Sequence, residues 1–99
     1  MNPDFSRGLV PAVVQNSDSG LVLMVAYMDE ESWSKTRETG RAWFHSRTRS
    51  LWEKKATSRH YLKMLEVRLD CDLDAVLLRV CAHGPACHTG ARSCFFNEA

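Results

Sequence analysis

Two apolar stretches, LVPAVVQ at residues 9–15 and LVLMVAY at 21–27, stand on either side of NSDSG at 16–20. Turn-forming residues between two runs rich in Val and Leu encode a hairpin, which commits the chain to a sheet. Pro11 has no N–H to donate, so the first strand either lies at an edge or pairs only on the side that this loss leaves intact.

Beyond the hairpin, Asp29 can cap a helix over residues 30–39, because Glu30 and Glu31 fall in its positive first turn and Gly40 can close its end. AWFHS at 42–46 reads as a further strand. Residues 47–59 follow no period and read as a loop. Strand character returns over 62–71, with AVLLRV at 75–80 as its neighbour, and the tail from 84 to 96 is loop-like. The expected fold is α+β: a small mixed, mostly antiparallel sheet domain with one main helix.

At 99 residues with 44% hydrophobic content, the chain holds material for one domain, residues 1–99, with little area to spare for stability. Metals, disulfides or a partner subunit commonly supply the difference. No N-terminal basic stretch leads into an apolar segment, and no run approaches the roughly 20 apolar residues needed to span a bilayer. A cytoplasmic location is expected. In that reducing compartment the four cysteines should act as metal-binding or reactive thiolates rather than pair.

The net charge of +1 conceals a basic middle. Between positions 34 and 64, Lys35, Arg37, Arg41, Arg47, Arg49, Lys54, Lys55, Arg59 and Lys63 meet only Glu38 and Glu53. Such a stretch is either a solvated face or a surface that receives phosphates. A connection this long without regular structure is often functional.

Chemistry concentrates first at Asp70-Cys71-Asp72-Leu73-Asp74. On an extended backbone the acids would share one face, with Cys71 on the other beside Leu65, Val67 and Leu69. Hard carboxylates suit Mg²⁺ and a soft thiolate suits Zn²⁺, so one segment could serve two metals. Same-face positions on a straight strand are about 6.6 Å apart, too far for all three carboxylates to close on a small ion, so the segment should curl after Asp72. The bland alternative is a solvated turn between two strands, but like charges repel unless a cation lies among them. An EF-hand would need Gly and Glu where this chain has Ala75 and Cys81.

The second concentration is GPACHTGARSC at residues 84–94. Gly90 permits a tight reversal between Cys87 and Cys94, so both thiolates could turn toward one ion, with Cys71 as a third ligand. Three protein ligands leave a fourth position for water, the catalytic arrangement, whereas a fourth ligand from Cys81 would make the site structural. Cys81 sits beside Val80 in an apolar strand, which favours a buried core thiol. His88 could move protons at neutral pH. His45 and His60 are expected as surface or packing residues, and His83 is given no role.

The segments LMVAYMDEES, TGRAWFHSRTRSLW, RLDCDLDA and GPACHTGARSCFF, in this order, resemble the phosphoribosyl-AMP cyclohydrolase family over about residues 9–96. The resemblance implies Mg²⁺ ligands at Asp70, Asp72 and Asp74, zinc ligands at Cys71, Cys87 and Cys94, and a homodimer whose subunits share the zinc site. It also implies the reaction: hydrolytic opening of the adenine ring, at the N1–C6 bond, of 1-(5-phosphoribosyl)-AMP in histidine biosynthesis. Substitution at N1 makes the ring cationic and C6 electrophilic, while zinc lowers the pKa of its water toward about 7 so that hydroxide can attack. His88 is the candidate to move the proton. Mg²⁺ and the basic segment, Arg47, Arg49 and Lys54 in particular, would hold two phosphates of about −1.5 to −2 charge each.

The chain departs from the family's usual Lys-Gly at Lys54-Lys55, and from Thr-Ser-Gly with a Gln three residues beyond at Thr57-Ser58-Arg59 and Leu62. Arg59 in place of Gly forbids an easy left-handed backbone and adds bulk and charge. These changes admit a second reading, a related metal hydrolase acting on another N-substituted purine or heterocycle. A third, from a different class, is a zinc-stabilised nucleic-acid-binding module in which Trp43, Phe44 and Trp52 stack on bases. Overall charge near zero counts against it, and a small-molecule nucleotide, not nucleic acid or membrane, is the expected partner. A zinc nucleoside deaminase needs cysteine where position 90 is Gly.

Overall fold

The computed structural model describes residues 1–46, 50–53, 61–83 and 89–99, with 46, 50–53 and 83 described through their backbone. Among these the elements run β1 (Val10–Asn16), β2 (Val22–Met28), α1 (Glu30–Thr39), β3 (Trp43–Ser46), β4 (Ser50–Glu53), β5 (Tyr61–Leu69) and β6 (Val76–His83).

The hairpin forms where its turn residues place it, with β1 and β2 antiparallel from Val10↔Met28 to Val14↔Met24 and a register shift before Gln15↔Val22. The shift leaves Leu23 as an extra residue on β2, so Leu23 and Met24 are both buried. Contrary to the edge reading, β1 is an inner strand. It also pairs in parallel with β6, but that ladder begins at Ala12↔Val76, past Pro11, which is the second of the two arrangements its missing N–H allows.

The sheet order is β4-β3-β2-β1-β6-β5, and every pairing except β1 with β6 is antiparallel. The sheet curls until β5 meets the residues just before β3. There Arg41 bridges Lys63, the Ala42 N–H donates to the Leu62 carbonyl at 2.9 Å, and the Met64 N–H donates to the Gly40 carbonyl at 2.8 Å. Alternation along the strands then turns Val10, Ala12 and Val14, Ala26 and Met28, and Val76, Leu78 and Val80 into the curl, where Phe44 and Leu62 join them.

The helix begins as its sequence requires. Asp29 accepts from the Ser32 N–H at 2.9 Å while the Ser32 hydroxyl accepts from the Asp29 N–H at 2.9 Å, a reciprocal capping box. Gly40, at φ 74, closes the other end by donating to the Thr36 carbonyl. Trp33 and Thr36 are buried, and the Thr36 hydroxyl accepts from the Trp43 N–H at 2.9 Å, which fixes α1 to β3.

Two readings need correction. Residues 47–59 are not one loop: β4 pairs with β3 from Ser46↔Ser50 to Trp43↔Glu53. SLWE is too short to carry a period of its own, and pairing with β3 supplies what local pattern lacks. Cys81 is not a core thiol either. On β6 it alternates with buried Val80, which places it on the outer face, half-buried opposite Lys63. Among the described residues, no helix is long and apolar enough to cross a membrane.

Candidate metal and substrate site

Beyond Leu69 the chain reverses at once. The Leu73 N–H donates to the Asp70 carbonyl at 3.1 Å, and the Asp70 N–H donates to the Ala75 carbonyl at 3.1 Å. The Asp70 carboxylate reinforces this by accepting from the N–H groups of Asp74 at 2.9 Å and Ala75 at 3.1 Å. Leu73 completes the turn at φ 65, a left-handed conformation that a bulky L residue rarely adopts.

This turn brings one oxygen of each of Asp70, Asp72 and Asp74 within 4.8 Å of one another. The acids converge as expected, but not by alternation along a strand with a curl after Asp72. The curl starts at Asp70, because its own carboxylate caps the turn. Cys71 is exposed on this turn rather than set on an apolar face, and Leu65, displaced by the β5 bulge, is exposed as well.

The crowding registers in the carboxyl groups. Hydrogen bonding with Asp72 and Asp70, followed by desolvation and their charge, pushes Asp74 up to about 6. Desolvation presses Asp70 the same way, but hydrogen bonds from the Asp74 carboxyl, from the N–H groups of Ala75 and Asp74, and from Asp72 outweigh it and hold Asp70 below the ordinary carboxylate value. Three oxygen donors at this spacing, retaining a proton well above the usual range, are a donor set that suits a hard divalent cation.

The N-terminal segment forms a wall beside this turn. The Asp4 N–H donates to the Leu73 carbonyl at 2.7 Å, Asn2 accepts from the Trp33 indole at 3.1 Å, Pro3 is buried and Phe5 packs on the core. Between this segment and the acid turn lies an open cleft of about 370 Å³ lined by Asp4, Arg7, Gly8, Leu9, Val10, Pro11, Asp72, Asp74 and Ala75. Sequence reasoning missed the contribution of Asp4 and Arg7. Residues 1–8 carry no period and no ligand spacing that would have marked it.

The cysteine-rich tail is described from Thr89 onward. Gly90 has φ 92, the reversal expected of it. The Ser93 hydroxyl donates to the Val22 carbonyl at 2.7 Å and the Cys94 N–H to the Leu23 carbonyl at 2.7 Å, which lays the tail beside β2 with Cys94 half-buried. Cys71 and Cys81 are thiols, not disulfide halves. Among the described residues the acids alone make a group of three potential ligands, and neither Cys71 nor Cys94 joins such a group. Cys87, His88, Arg47, Arg49, Lys54, Lys55 and Arg59 lie outside the described residues.

Other singled-out residues prove structural. His45 Nδ1 lies 3.2 Å from the Asp29 carboxylate and links β3 to the helix cap. Phe44 is fully buried and has no face for a base, while the Trp43 indole donates to Thr39 at 3.2 Å with the Lys35 ammonium 5.8 Å from its ring centroid. Leu62, one of the departures that motivated an altered substrate, is a core residue at 2% exposure.

The phosphoribosyl-AMP cyclohydrolase family model matches residues 24–96. A Listeria monocytogenes protein named phosphoribosyl-AMP cyclohydrolase is 57% identical over 95 residues, covering 95% of this chain and 90% of its own. A Bacillus cytotoxicus protein of the same name is 48% identical over 99 residues, covering 99% of this chain and 98% of its own. A Halalkalibacterium halodurans protein named as a histidine biosynthesis bifunctional protein is 56% identical over 93 residues, 93% of this chain but 44% of its own. The matched stretch takes in both the acid turn and the cysteine-rich tail, and the chain belongs to the phosphoribosyl-AMP cyclohydrolase family.

Proposed function

We propose that this chain hydrolyses 1-(5-phosphoribosyl)-AMP at the N1–C6 bond of its adenine ring, as a step of histidine biosynthesis in the cytoplasm. The carrying observation is the convergence of Asp70, Asp72 and Asp74 on one turn, within a chain 57% identical to a protein named for this activity. In this reading the acids hold Mg²⁺, and the thiolates of Cys71, Cys87 and Cys94 hold zinc, hard donors for the hard ion and soft donors for the softer one. Zinc, when bound, supplies a water whose pKa is lowered toward about 7.

The reaction balances without a further co-reactant. The water oxygen bonds to C6, the N1–C6 bond breaks with its electron pair passing to N1, and the exocyclic nitrogen remains on C6 as a carboxamide. His88, adjacent in sequence to Cys87, moves the proton to the departing nitrogen. Arg47, Arg49 and Lys54 offer charge-assisted hydrogen bonds to the phosphates.

The proposal includes a homodimer with zinc ligands shared between subunits. Its support is the outer face of the sheet, where Val25 and Tyr27 are 47% and 51% exposed, an apolar surface of the kind a second copy covers. In ¹⁸O-enriched water, protein loaded with Zn²⁺ and Mg²⁺ should yield a product heavier than its substrate by one water, labelled in the new carboxamide. Label elsewhere, or no product, would overturn this reading.

A further inference from the structure

The segment from Asp4 to Gly8 is short and well tethered. Ser6 donates its N–H to the Asp4 carboxylate at 3.0 Å, Gly8 donates its N–H to the Phe5 carbonyl at 3.0 Å, and Asp4 is bonded to Leu73. Arg7 is thereby held on the cleft that Asp72 and Asp74 also line. Hydrogen bonds from Ser6 and, after them, the Arg7 charge hold the Asp4 carboxyl below its ordinary value, but among the described residues the Arg7 guanidinium closes on no carboxylate at ion-pair distance. The cleft thus presents one guanidinium together with carboxylates, charges of both signs on one surface.

Carboxylates alone would repel an anionic ligand, and Arg7 alone would repel a cation. A phosphate that bridges a divalent cation on the acids and the guanidinium of Arg7 satisfies both, because the charges then alternate across the cleft. The volume of about 370 Å³ is in the range of small-ligand sites, roughly 300–1,000 Å³. We infer that Arg7, on the N-terminal wall of the cleft, binds a phosphate of the substrate across from the cation held by Asp72 and Asp74. This assignment rests on the proposed hydrolysis of a phosphoribosyl nucleotide and names a substrate-binding residue for it.

The test compares wild type with Arg7→Gln, Arg7→Lys and the charge-matched control Arg68→Gln, whose exposed side chain on β5 does not line the cleft. Arg7→Gln should raise KM for phosphoribosyl-AMP about tenfold with kcat changed by less than about twofold, and Arg7→Lys should recover part of the loss. Calorimetry with 5′-AMP in Mg²⁺ should show a parallel loss of about tenfold in affinity for Arg7→Gln, and none for Arg68→Gln. Arg7→Gln matching wild type in KM and in AMP affinity, or an equal loss in Arg68→Gln, would overturn the assignment while leaving the hydrolase standing. Wild-type protein that neither binds nor turns over the nucleotide would overturn the functional reading and the assignment together.

Discussion

The backbone N–H of Asp4 meets the carbonyl oxygen of Leu73 at 2.7 Å, so the start of the chain is tied to the left-handed residue at the centre of the acid turn. A side chain in that conformation costs about 1–2 kcal/mol. The bond to Asp4 and the bonds from Asp74 and Ala75 to Asp70 offset that cost, and the conformation they sustain gathers the acids.

Leu73→Ile should therefore destabilise the protein by about 1 kcal/mol in urea unfolding, because a β-branched residue tolerates positive φ even less. Leu73→Gly should be neutral or stabilising by up to about 1 kcal/mol, since glycine takes this conformation freely. Equal losses in both variants would mean that the packing of Leu73, not its φ, sets the local stability.

Asp74 has a folded-state pKa of about 6 against 3.8 for the free group. A carboxyl raised in this way contributes its stability fully below the lower value and loses it as pH rises through the upper one, since the folded state then holds the extra proton only in between. In metal-free protein, Asp74→Asn should match wild type near pH 4 and exceed it near pH 7, roughly the two sides of that window. Mg²⁺ should reverse the neutral-pH ranking, because a cation favours the ionised carboxylate that asparagine cannot provide. Urea midpoints across pH, with and without Mg²⁺, measure both effects, and a wild type indifferent to Mg²⁺ would contradict the site.

Loss of the helix cap should be costly away from the cleft. Asp29 accepts from Ser32 and lies 3.2 Å from His45, so Asp29→Ala removes a cap and a link to β3 together. A thermal or urea measurement should show a loss of about 1–2 kcal/mol. A change within a few tenths of a kcal/mol, roughly the effect of an ordinary surface substitution, would show that packing of Trp33 and Thr36 suffices to hold α1.

Serine at Cys71, Cys87 or Cys94 should each abolish zinc retention by elemental analysis, whereas Cys81→Ser should retain it. Cys81 stands on the outer face of β6 opposite Lys63, on the strand after the acid turn rather than within it. Zinc lost equally from Cys81→Ser would mark a closed, four-sulfur structural site.

Local chemistry was what the sequence made legible. Asn16 to Gly20 specify a turn, and Asp29 and Gly40 specify the two ends of a helix, because each acts on neighbours a few residues away. The acids could be identified for the same reason, although the way they converge depended on the Asp70 carboxylate capping its own turn, which a strand period cannot express. What lay beyond reach was contact between distant residues. β4 exists because β3 pairs with it, β1 becomes an inner strand because β6 arrives alongside, and Arg7 joins the cleft because Asp4 reaches Leu73. None of these is encoded within a short window.

Incubating the Zn²⁺- and Mg²⁺-loaded protein with phosphoribosyl-AMP decides whether the chain is the hydrolase its site implies. Substrate should disappear, the reaction should stop on chelation, and it should resume when zinc is restored. Fully metal-loaded, folded protein that leaves phosphoribosyl-AMP untouched would contradict it.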